Sequence, residues 1–430
     1  MKTLNKFKSN EYLLLKGGQI FDVIDKKNDV VDILINNGKI VEIGKIKDKE
    51  NYYTVDCKNN IITQAFIDTR SHFQTPGVGD QETLESGSYA ALSGGYSKVC
   101  IMPDTDPIID NAELVKFIYD SSSSLPISIY PIGSITKQLK GNEISELGLM
   151  LKEGAVAFSD VNFPIMNGQV MRYALEYAKM FNVPIINQAQ DINLVNKGVM
   201  SEGSTSNSLG LVGIPSIAES TMIYRDLEIT KYVNGKIHLP NITCLESVEL
   251  INKYKKQGLN ITSEVNPQNL FFTDKDLINY DTNFKISSPI RDLTSQASLI
   301  KGLKEGTIDC VASNHCPHRL DDKEKDFYHS EFGAIGLETA FSAVHTVLSK
   351  KKFSFKSIIN LFSKNPSEIM NLELHKITNN SIPELVVIDP KKEWTFKESD
   401  IFSKSKNTPF LNHKFTGKIN FTINKDILFG

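Results

Sequence analysis

The segment 68–72 reads Asp-Thr-Arg-Ser-His. Its spacing is that of D-x-H-x-H, in which two imidazoles at the end of a barrel strand hold a divalent metal that activates water. Arg70 stands where the first imidazole belongs. A guanidinium carries a fixed positive charge and offers no lone pair, so it repels a cation instead of ligating it. Whether Arg70 is one odd ligand or part of a dismantled centre depends on what the other strands bring to the same place.

Those strands belong to repeated strand–helix units. Through the middle of the 430-residue chain, short β-branched runs alternate with helical stretches: NIITQAFID, SKVCIMP, ISIYPIG, AVAFSD, VPIINQ, GKIHLPN, NITSEVN and DCVASNH. Eight such units predict an α/β fold, a closed (β/α)8 barrel of TIM type. Among the helices, Val170, Ala174, Ala178 and Phe181 share one face of VMRYALEYAKMF. TCLESVELINKYKKQG opens on a capping box of Thr243 with Glu246 and stops at Gly258. The first fifty residues alternate with the strand period and turn at Asn36-Asn37-Gly38; IPELVVIDP and FTGKINFTINKDILFG echo them near the end. The expected organisation is a small β-domain assembled from 1–55 and 376–430, with the barrel at 56–375. Barrels of this kind work at the C-terminal ends of their strands. Those ends carry Asp68, Arg70, His72, Asp104, Asp160, Gln188, Asn241, Glu264, Asn314 and His315.

The net charge of −3, from 48 basic and 51 acidic side chains, gives no electrostatic reason to expect nucleic acid or an anionic membrane as partner. The longest apolar run near the start is three leucines, so neither a secretory leader nor a membrane span is expected. Five cysteines without C-x-x-C spacing read as reduced thiols of a cytoplasmic protein.

The blocks ESGSYAALSGGYSKVCIMPDTDP, SLGLVGIPSIAE, DTNFKISSPIRD, LKEGTIDCVASNHCPH, FGAIGLET and SKSKNTPF, in that order, make the chain resemble the dihydroorotases of the amidohydrolase superfamily. The likeness runs from about Leu13 to the end. It implies zinc held at the strand ends by six positions, and at four of them this chain departs from the family's pattern. The first histidine is Arg70, the strand-5 histidine is Gln188, the strand-6 histidine is Asn241, and the catalytic strand-8 aspartate is Asn314; only His72 and Asp160 match. Zinc takes about four ligands from His, Cys, Asp or Glu, and an amide cannot accept a proton as a carboxylate base does. The resemblance also implies substrate contacts, which fall at Gln74 in place of an arginine, Asp104 and Ser287 in place of asparagines, and His318. Losing a cation and gaining an anion both oppose a dianionic substrate.

The resemblance therefore implies a non-catalytic dihydroorotase homologue, without metal or other cofactor, that acts as a structural or regulatory partner of aspartate carbamoyltransferase and forms a homo-oligomer. Two other readings stand beside it. One is a dihydroorotase or other cyclic amidohydrolase with an atypical site, using zinc on His72 and Asp160. The other is a ligand-sensing barrel whose Arg70, Gln188, Asn241 and Asn314 donate to an anion. An ion pair of Arg70 with Asp160 is expected to replace the metal. His72, His238, His315 and His318 read as hydrogen-bonded structural residues, and RLDDKEKDFYHSE as a solvated mobile loop.

Overall fold

The computed structural model describes residues 2–8, 11–25 and 28–430. Eight short parallel strands form the barrel: β1 (Phe66–Ser71), β2 (Tyr96–Ile101), β3 (Ser128–Pro131), β4 (Phe158–Ser159), β5 (Ile185–Ile186), β6 (Ile237–Leu239), β7 (Ile261–Val265) and β8 (Cys310–Val311). Strands β1 to β3 pair in one run and β4 to β8 in another. Parallel bridges from Gly133 to Phe158 and from Ser71 to His315 join the two runs and close the ring. Helices cover the outside, so both faces of each strand are sheltered. That is why Tyr96–Ile101 is buried at every position and does not alternate.

Both ends of the chain contribute to a nine-stranded sheet. Its centre is an antiparallel pair, Glu384–Thr395 with Lys414–Asn424, flanked by Ile61–Gln64 and Tyr12–Ile20. Val30–Asn36 and Lys39–Gly44 form the hairpin read from Asn36-Asn37-Gly38. Asn37 and Gly38 both take left-handed φ values, 50° and 66°, as a tight two-residue hairpin turn requires.

Four local expectations need correction. NIITQAFID is two strands. Ala65 donates its N–H to Glu384 and Phe66 donates to Gly95, so the chain leaves the terminal sheet and enters the barrel between adjacent residues. Phe181 is not part of the buried helix face: the helix Gly168–Lys179 ends before it, and Phe181 lies 43% exposed against the Tyr177 ring. Thr243 does not cap the helix Leu245–Lys255; its hydroxyl is bonded to the Glu219 carboxylate and its N–H donates to the same group at 3.0 Å. The charged stretch 319–331 is not simply solvated either. Within it Phe327 is buried, and Lys323 is buried and donates to the carbonyls of Glu331 and Gly333.

One ion pair fastens the sheet to the barrel. Lys98 on β2 meets Glu384, with both side chains buried, and also donates to the Glu373 carbonyl at 2.9 Å. Lys98→Met strands the Glu384 carboxylate, which should cost about 3 kcal/mol and lower the thermal unfolding midpoint. The double change Lys98→Met with Glu384→Leu should recover most of that loss. Equal midpoints for the single variant and the unchanged protein would show that the pair is not needed.

Candidate functional site

The strand ends bring the residues of the mouth together in two layers. The lower layer is Arg70, Gln188, Asn241 and Asn314, all buried. Arg70 Nε donates to Asn314 Oδ1 at 3.1 Å, and its Nη2 donates to Asn162 Oδ1 at 3.2 Å. Asn241 Nδ2 donates to the same Asn314 oxygen at 3.2 Å and to Gln188 Oε1 at 3.4 Å. The four positions where the sequence departs from a metal centre are therefore joined into one hydrogen-bonded chain of neutral amides around a cation. Asn241 and Asn314 take φ values of 51° and 49°, a left-handed conformation that asparagine tolerates better than most side chains.

The expected ion pair of Arg70 with Asp160 does not form. Asp160 Oδ1 accepts the backbone N–H groups of Ile135 and Thr136 at 2.8 and 2.9 Å, and Oδ2 accepts the Thr136 hydroxyl. Those donors come from the loop after β3 and use both oxygens. Burial raises the Asp160 carboxyl to about 6, against the pull of the Thr136 and Ile135 hydrogen bonds. Arg70 finds its counter-charges elsewhere. Burial lowers its guanidinium below the ordinary arginine value, while Glu264 and then Asp104 oppose that shift. Glu264 accepts the Thr69 hydroxyl at 2.5 Å and lies 3.0 Å from His238 Nε2. Burial would raise its carboxyl, but His238, Thr69 and Arg70 together hold it below the usual range.

The upper layer faces a cavity of about 660 Å³. His72, Gln74, Asp104, Ser287 and His318 all line it, with Asn162, Gln190, Glu331 and Phe332 among their neighbours. His72 Nδ1 lies 2.7 Å from Asp104 Oδ2. Burial would raise the Asp104 carboxyl; His72 and then Arg70 outweigh it and hold it below the usual carboxylate range. Gln74 donates to Gln81, and the Ser287 carbonyl accepts from Gln190 at 3.4 Å. His318 Nε2 lies 3.0 Å from the Phe332 carbonyl and 3.6 Å from Cys316 Sγ. No lysine or arginine lines this cavity among the described residues, so nothing there offers a carboxylate a bidentate cation.

Sequence reading missed Asn162, which answers Arg70 from two residues beyond Asp160, and Glu331, which reaches the cavity from the charged stretch. The other histidines are committed to structure. His315 Nε2 lies 3.1 Å from Glu82 and its Nδ1 accepts the Gly336 N–H; His238 Nδ1 lies 2.9 Å from the Thr262 hydroxyl. His238, Glu264 and Cys310 do bring three potential ligand atoms within 4.8 Å of one another. Burial and then Glu264 keep the Cys310 thiol far above its ordinary value, and the His238–Glu264 pair already uses the two other groups.

The donor set at the strand ends does not fit zinc. Asp160 already accepts three hydrogen bonds, Gln188, Asn241 and Asn314 offer only neutral amides, and Arg70 brings a buried positive charge, its Nη1 without a partner, into the same network. Restoring the ligands should reverse this. Arg70→His, Gln188→His, Asn241→His and Asn314→Asp combined should retain on the order of one zinc per chain after dialysis, by elemental analysis, and the unchanged protein far less. Equal zinc in both would mean that the amide network does not decide metal binding.

Residues 59–247 match the family described as Dihydro-orotase-like. The chain is 37% identical to the dihydroorotase of Caldicellulosiruptor saccharolyticus over 415 residues, covering 96% of each protein. It is 39% identical to that of Carboxydothermus hydrogenoformans over 407 residues, covering 94% of this chain and 95% of the other. The L-hydantoinase (dihydropyrimidinase) of Arthrobacter aurescens shares the fold with a TM-score of 0.84 at 20% identity, over 96% of this chain and 94% of that one. A TIM barrel with a β-domain built from both termini, this chain belongs to the dihydroorotase-like family of the amidohydrolase superfamily.

Proposed function

We propose that this chain is a dihydroorotase-family barrel without metal-dependent hydrolysis, serving as a structural or regulatory partner of aspartate carbamoyltransferase. One observation carries the first half: Arg70, Gln188, Asn241 and Asn314 hydrogen-bond to one another across the place where the family's chemistry calls for metal and base. A zinc hydroxide needs about three protein ligands and a group that accepts its proton. A guanidinium and three amides supply neither. The cavity supports the same reading, because Gln74 and Asp104 replace a cation and an amide at the places where a dianion would dock. The partner is supported by the resemblance of inactive dihydroorotase-like chains that assemble with the transferase, and the same resemblance suggests a homo-oligomer.

A second reading has its own support: relatives 34–39% identical across nearly the whole chain carry the name dihydroorotase. On it, the chain interconverts dihydroorotate and N-carbamoyl-aspartate, with His72 and Asp160 as residual zinc ligands. The two readings part in one assay. With excess zinc, the purified chain should hydrolyse dihydroorotate no faster than zinc in buffer, and should not catalyse the reverse cyclisation. Turnover abolished by His72→Ala or Asp160→Ala would establish the second reading instead. For the partner, the tagged chain should retain the transferase from its own cell extract, and deletion of its gene should lower transferase assembly and activity. A transferase fully assembled without it would remove the scaffold role.

A further inference from the structure

A second cavity, of about 360 Å³, shares no residue with the mouth. It lies where the start of the chain, the end of the helix Leu84–Ser93 and the strands Glu384–Thr395 and Lys414–Asn424 meet. Its size is that of a small-ligand pocket. Trp394, Phe396 and Phe402 give it aromatic walls, and Lys2 and Lys418 bring two ammonium groups. The Trp394 ring is held in place by its Nε1 donating to the Gly417 carbonyl at 3.0 Å. Lys418 Nζ stands 4.9 Å from the centre of that ring, and Lys2 Nζ donates to the Ser93 carbonyl at 2.9 Å.

The charges are placed at a cost. Burial and then repulsion from Lys418 lower the Lys2 ammonium to about 7, while Asp400 and Glu338 act in the opposite direction. Neither carboxylate comes within ion-pairing distance of either lysine among the described residues. Glu338 accepts the N–H groups of Phe402 and Ser403, and Asp400 accepts that of Lys397. Two unpaired cations beside aromatic faces in a partly sheltered recess are stabilised by an anion that carries a flat apolar body.

We propose that this cavity binds a small planar anion, an aromatic ring bearing a carboxylate or a phosphate, with the ring against Trp394 and the charge between Lys2 and Lys418. The site is independent of whether the barrel mouth catalyses anything. It also reports on itself, because Trp394 is the chain's one tryptophan.

Titrating the full chain with benzoate and with phenyl phosphate should give a saturable change in Trp394 emission for at least one of them, and the stronger of the two identifies the preferred charge. Binding should weaken about tenfold or more in Lys418→Met and in Lys2→Met; each variant is checked for an unchanged unfolding midpoint, with Lys→Gln as the substitute where it is not. Affinity should fall between about pH 6 and about pH 8.5, as Lys2 loses its proton. Four results would each overturn the proposal: no saturable change up to on the order of 10 mM; benzamide binding as tightly as benzoate; inorganic phosphate binding as tightly as phenyl phosphate; or both folded lysine variants binding like the unchanged chain.

Discussion

The barrel mouth is organised around one buried charge, the Arg70 guanidinium. A cation taken out of water costs several kcal/mol unless hydrogen bonds and opposite charges replace what it lost. Arg70 is 1% exposed, and its surroundings supply both kinds of compensation. Asn314 and Asn162 give it neutral oxygens; Glu264 and Asp104 give it negative charge. Each of the other departures from a metal centre then has a physical place. An aspartate at 314 would have held a zinc or taken a proton, whereas an asparagine accepts from Arg70 and from Asn241 at once. A histidine at 241 or 188, facing a guanidinium, would have added a group that can itself become a cation; the amides donate and accept without charge.

Asp104 extends the same logic upward. It lines the cavity, pairs with His72 and feels Arg70 beneath it. The residue that remains from the metal set and the residue that changed in the substrate set are thus bound to each other. Asp160, the other remaining group, is held by the loop after β3 and takes no part in the network. Among the described residues of the mouth, Arg70 Nη1, Asn241 Oδ1 and His318 Nδ1 stay unpartnered; most of the other polar groups there are bonded to one another.

Much of this was legible in the sequence, for reasons that can be named. β-branched runs followed by amphipathic helices mark barrel units because buried parallel strands need apolar residues on both faces. The loss of lone pairs at Arg70 and of a carboxylate at 314 is a property of residue type and needs no coordinates. What escaped were contacts between segments distant in the chain. Ala65 looks like the middle of one strand because nothing local records that Glu384 accepts its N–H while Gly95 accepts that of Phe66. Asp160 looked like the natural partner of Arg70 because both sit at strand ends, yet backbone donors 24 and 25 residues earlier had already satisfied it. Thr243 has the local signature of a cap, and the Glu219 carboxylate overrides it from another helix. In each case a tertiary hydrogen bond outweighed a local preference.

On the proposed reading, the hydrogen-bonded Arg70 guanidinium stands where the family's metal would. Anomalous diffraction at the zinc edge, from crystals grown with zinc in excess, tests it most directly. No anomalous peak is expected among His72, Asp160, Gln188 and Asn241, with Arg70 Nε still donating to Asn314. A peak at that place, with Arg70 swung out toward the cavity, would contradict it.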